Sequence, residues 1–112
     1  MIKNFPTAEV VNLAEMVTYQ PGQVVSRTLS QNKSGSMTLF AFPEGEGLST
    51  HTTPADAFAY ILDGEAQIEI GDAEMVVSAG EAVVMPANVP HALLAKRPFK
   101  MLLIIVKHDT GS

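Results

Sequence analysis

Three histidines, His51, His91 and His108, carry most of the chemistry open to this chain. A neutral imidazole offers a lone pair to a metal ion or a proton, and it titrates near physiological pH. Cysteine is absent, so thiolate nucleophiles, disulfides, zinc ribbons and iron–sulfur clusters are excluded. No glycosidase, phosphatase or triad constellation stands out. Ser49 and Asp56 are near His51 in sequence, but a lone histidine beside them is not a triad. His108 follows the last apolar run and reads as an exposed tail residue.

His51 and His91 sit in segments whose spacing is informative. The first segment is Gly45-x5-His51-x-Thr53-x3-Ala57-x6-Gly64, and the second is Gly80-x5-Pro86-x-Asn88-x2-His91. These segments resemble the two motifs of the cupin superfamily, Gly-x5-His-x-His-x3–4-Glu-x6-Gly and Gly-x5-Pro-x-Gly-x2-His-x3-Asn. The framework glycines, the proline and two histidines fall in register, and fifteen residues separate Gly64 from Gly80. The motif region covers 45–95, and flanking strands extend the resemblance to 24–107. It implies an all-β fold, a double-stranded β-helix or jelly-roll-like barrel, and assembly as a homodimer.

Family metal sites use three histidines and a glutamate to bind a divalent ion. His51 matches the first ligand and His91 the last. Thr53 stands where the second histidine would be, and Ala57 where the glutamate would be. Strand periodicity puts positions 51, 53 and 57 on one face if the strand runs unbroken. Asp56 then points to the opposite face unless a bulge re-aims it. Two neutral imidazoles hold a metal weakly, whereas a catalytic zinc or iron centre needs about three protein ligands. The expectation is a degraded site, with any zinc, nickel, manganese or iron held weakly by His51 and His91. Asn88 and Ala95 replace the second motif's Gly and Asn and say little about chemistry.

Positioning such a site requires a barrel, and the punctuation of the chain predicts one. Turn residues recur at short intervals, from Gly22 and the 32–35 cluster through Asp63-Gly64, Gly71-Asp72 and Gly80 to Pro86–Pro90 and Pro98. Between them lie short apolar runs: Val24–Leu29, Met37–Phe42, Phe58–Leu62, Ala66–Ile70, Glu74–Val77, Ala82–Met85 and Phe99–Val106. Evenly spaced short strands point to an all-β sandwich or barrel, here of roughly eight to ten strands. Asp63-Gly64 reads as a tight hairpin needing φ > 0. Residues 8–17 read as a strand over Glu9–Leu13 followed by a short turn, or as a helix. Residues 1–23 form an arm that packs on the barrel or on a partner, and 108–112 a tail.

Composition narrows the function further. Hydrophobic residues make up 46% of 112 and charged residues 17%, enough apolar material for one core. The net charge is −5 and the basic residues are scattered, which excludes a nucleic-acid stripe. Lys96, Arg97 and Lys100 read as a solvated turn. The longest apolar run, Met101–Val106, is too short to span a membrane. The first residues lack the apolar stretch of a signal peptide, so a cytoplasmic location is expected. Most methionines read as core filler, with Met85 and Met101 closest to a pocket. Phe40, Phe42, Phe58 and Tyr60 read as core. A pocket lined by His51, Thr53, Ala57, Met85, His91 and Met101 suits a small, mostly apolar organic ligand. A ligand-binding module therefore ranks first. A metal-dependent isomerase, decarboxylase, lyase or dioxygenase ranks second, and a structural dimer with a vestigial pocket third.

Overall fold

The computed structural model describes residues 1–108. Eight strands form a curled antiparallel sheet: β1 (Val25–Asn32), β2 (Gly35–Phe42), β3 (Gly47–His51), β4 (Ala55–Ile70), β5 (Ala73–Ser78), β6 (Ala82–Met85), β7 (His91–Leu94) and β8 (Phe99–Lys107). This is an all-β barrel, as the spacing of short strands predicts and the motif resemblance implies. Among the described residues no helix is long and apolar enough to cross a membrane.

The long strand β4 belongs to both walls. Its first half pairs with β8 on one side and β6 on the other; its second half pairs with β7 and β5. The switch occurs at Asp63-Gly64, where the register against β8 slips between Ile61 and Asp63. Sequence reasoning places a hairpin here, and the structure corrects it. The positive φ of 71° at Gly64 serves a bulge, not a reversal, and the strand continues into the second wall. A Cβ at Gly64 would stand 2.1 Å from the Pro98 carbonyl oxygen, so only glycine lets the strands pass.

Strand alternation builds the interior. Along β4, Ala55, Ala57, Ala59 and Ile61 are buried, while Asp56 and Phe58 are exposed. Phe42 and Phe99 are fully buried and stack with ring centroids 4.7 Å apart. Burial of each contributes about 1.5–3 kcal/mol. Phe58 turns outward and is 40% exposed, contrary to its reading as core.

The arm covers part of the barrel's outside. Val17, Leu29, Leu39 and Ala41 form a second buried cluster, packed against Phe5, Leu13, Met16 and Tyr19. Of what is expected over residues 8–17, neither the Glu9–Leu13 strand nor a longer helix forms, and only the short turn does. The segment is irregular apart from a short 3-10 turn at Leu13–Met16, capped by the Asn12 side chain accepting from the Ala14 N–H. Ala8 takes a positive φ of 55°, which breaks any helix. Lys100 is not merely a solvated cation. Its Nζ donates to the Ala14 carbonyl at 2.5 Å and stands 5.1 Å over the Tyr19 ring, clasping the arm.

Candidate functional site

His51 ends β3 and His91 begins β7, and the two residues are register partners across that pair of strands. Their rings meet edge to face with centroids 4.3 Å apart. Each ring is held from behind in the same way. His51 Nδ1 lies 2.8 Å from the Ser49 carbonyl oxygen, and His91 Nδ1 lies 3.3 Å from that of Val89. A carbonyl only accepts, so both Nδ1 atoms carry the proton. In the neutral rings both Nε2 atoms then keep their lone pairs. That is the tautomer a metal or a ligand's donor hydrogen requires.

His91 is the more enclosed of the two, at 4% exposure, while His51 is exposed. Burial lowers the His91 pKa below the usual histidine value. The hydrogen bond to Val89 opposes this in part, and the charge of His51 adds to the lowering. A neutral imidazole at position 91 is thus favoured near physiological pH.

The loop that delivers His91 is strapped to the start of β4. The Asn88 N–H donates to the Thr53 carbonyl at 2.8 Å. The Asp56 carboxylate accepts from the Ala87 N–H at 2.8 Å. Asp56 is accordingly exposed, and the register of β4 against β8 is unbroken around it, so no bulge turns it toward the histidines. Asn88 holds a positive φ of 64°. The family motif has glycine at this position, and asparagine is among the residues that tolerate that backbone best.

The opposite wall carries no further donors. Thr53 is half-buried, and its hydroxyl donates to the Ala55 carbonyl at 3.1 Å. Ala57, Met85 and Met101 lie inside the core cluster at 2%, 2% and 0% exposure. Among the described residues no group of three or more His, Cys, Asp or Glu side chains is arranged to hold a metal ion. The donor set of two imidazoles beside a committed threonine hydroxyl and an alanine does not fit a tightly held divalent ion.

Sequence reasoning passes over a cleft that Thr53 helps to line. About 490 Å³ in volume, it is lined by Lys33, Thr53, Pro54, Ala55, Ile105, Lys107 and His108. Lys33 and Lys107 are 74 residues apart, and no local pattern joins them. They meet because the Lys107 N–H donates to the Ser34 carbonyl, closing the β1–β2 turn onto the end of β8.

Comparison with known proteins agrees with this architecture. The Cupin domain family matches residues 38–105. No curated protein matches the chain. Among solved structures, a conserved protein of unknown function from Streptococcus pyogenes superposes with a TM-score of 0.94 at 38% identity, over 97% of this chain and 96% of that one. A cupin superfamily protein from Desulfitobacterium hafniense gives 0.92 at 31% identity, over 96% and 99%. A predicted oxalate decarboxylase from Thermotoga maritima gives 0.71 at 19% identity, over 78% and 83%, a likeness of fold alone. With the barrel, the two motif segments and these relatives in agreement, the chain belongs to the cupin family.

Proposed function

We propose that this cupin is a small-molecule-binding module whose barrel mouth takes a small organic ligand, with His51 and His91 as its polar anchors. One observation carries the reading: two imidazoles at 4.3 Å, each with Nδ1–H committed to a backbone carbonyl and Nε2 left as an acceptor. Two adjacent acceptors match a ligand that brings one or two donor hydrogens. An ion at this pair is held weakly, because Thr53 and Ala57 contribute nothing to it.

The second reading, a metal-dependent enzyme, draws on the same two lone pairs and needs a third donor from water or substrate. Elemental mass spectrometry of untagged protein, followed by calorimetric titration with nickel, zinc and manganese, separates the two. Weak binding that disappears in His91→Ala supports the binding module. Tight, stoichiometric binding to the unmodified chain sinks it and puts the enzyme first.

Homodimer formation is part of the proposal. Outward-facing Phe58 pairs with Val84 on one side and Ile104 on the other, and Val106 lies further along β8. Phe58, Val84 and Val106 are 40%, 48% and 55% exposed, an apolar row that a second copy would cover. Light scattering on the protein and on Phe58→Glu tests this: a dimer converted to monomer is expected, and a monomeric parent protein overturns it.

A further inference from the structure

We propose that the cleft lined by Lys33, Thr53 and Lys107 is an anion subsite, and that the ligand of this protein is a small organic carboxylate. The inference rests on the reading that the barrel mouth binds a small organic molecule, and it adds the class of that molecule. Three observations carry it.

The first is charge. The chain has 7 Lys and Arg against 12 Asp and Glu, yet this cleft's lining includes two lysines, a histidine and no acidic side chain. A local reversal of sign on an acidic protein concentrates anions at that spot.

The second is the pleat. On β8, Met101 is fully buried, and Leu103 and Ile105 pack on the core cluster. Lys107 is next in the same alternating row. It therefore stands at the rim of the barrel's inner face, above Ile105. On β4 the facing row descends through Ala55, the register partner of Lys107, to Ala57. An ammonium group thus tops an apolar wall. That arrangement suits a carboxylate head with a hydrocarbon or aromatic body.

The third is continuity with the histidines. Thr53 lines the cleft, lies two positions from His51, and accepts through its carbonyl from Asn88 in the loop leading to His91. Thr53 thus ties the lining of the cleft to the two segments that carry His51 and His91.

The test follows backbone amide signals by NMR while hexanoate and benzoate, and then their uncharged primary amides, are titrated at constant ionic strength. The carboxylates are expected to perturb Thr53, Ala55, Ile105 and Lys107 and to bind at least about tenfold tighter than the matching amides, with the gap shrinking as salt is raised. In Lys33→Gln/Lys107→Gln the gap should close. In Lys96→Gln/Arg97→Gln, which removes two exposed cations elsewhere, it should persist. Both double variants change exposed side chains, and melting curves check that they fold. Equal binding of acids and amides at this cleft overturns the anion subsite and leaves the binding module standing. If neither class perturbs the cleft or the histidine pair, both fall. Carboxylates bound equally by the two double variants would mean general attraction to the surface, which also overturns the subsite.

Discussion

The two walls of the barrel mouth are made from the same kind of strand but hold different chemistry. On one wall, β3 and β7 present His51 and His91, each braced through Nδ1 to a carbonyl two residues back. On the other stand Thr53, in the break between β3 and β4 that interrupts the single strand expected through 51, 53 and 57, with its hydroxyl turned to the backbone, and Ala57 of β4, sunk in the core. The framework that aims the side chains is intact on both: Gly64 at the bulge, Asn88 in the left-handed turn, Pro86 before the loop. Barrel geometry and ligand set are therefore separable. The glycines and the proline answer to backbone sterics, and the donors do not.

Restoring donors to the empty wall should have the largest effect. Thr53→His with Ala57→Glu supplies the missing imidazole and carboxylate. Without metal, a carboxylate at a position only 2% exposed should lower stability by about 3–5 kcal/mol, since it lacks a partner there. With nickel or zinc the loss should be recovered, and calorimetry should show affinity raised by about two orders of magnitude or more over the parent protein. Melting temperatures with and without nickel read both halves. No gain in affinity would mean that the facing strands do not bring 53 and 57 toward the histidines.

The seam joining the walls comes next. Gly64→Ala puts a Cβ against the Pro98 carbonyl in a left-handed backbone, and should cost about 2–4 kcal/mol in urea unfolding. A smaller loss would show that β4 can split into two strands there without harm.

Much of this barrel is readable in the chain, and the failures are informative. The strands with apolar alternation, such as Met37–Phe42, Ala82–Met85 and Phe99–Val106, announce themselves because one face is buried. The two strands that carry the histidines, β3 and β7, do not. Ser49, Thr50 and His51 are all exposed, so β3 has no buried period to detect. β7 is only four residues long and follows two prolines. Asp63-Gly64 misleads because a bulge and a hairpin make the same local demand, φ > 0, and only the distant β8 decides between them. The outward facing of Asp56 is legible from alternation alone. Lys33 and Lys107 are not, because a turn and a strand end become neighbours only when the sheet closes.

Bracing of the histidine wall also depends on Asn88. Asn88→Val should cost about 1–2 kcal/mol, the penalty of a β-branched residue in a left-handed turn, while Asn88→Gly should be nearly neutral. Chemical unfolding compares them. If valine is tolerated as well as glycine, the loop relaxes freely and the wall is less fixed than its hydrogen bonds suggest.

The smallest expected effect separates the two histidines of that wall. Burial holds the His91 pKa below the usual histidine value of about 6.5, so between the folded and unfolded values the unfolded chain binds a proton that the folded chain does not. The contribution to stability is therefore complete above about pH 6.5 and is lost as pH falls toward the folded value, where it levels off. Unfolding free energies measured from about pH 7.5 to about pH 5 should decline for the parent protein and decline less for His91→Gln. Carboxylates titrate in both and cancel in the difference. His51→Gln should flatten the decline only slightly, because the charge of His51 is a lesser cause of the His91 shift than burial. Identical slopes in the parent and His91→Gln would mean that water reaches His91 freely. The asymmetry between an enclosed and an exposed imidazole would then have no thermodynamic consequence.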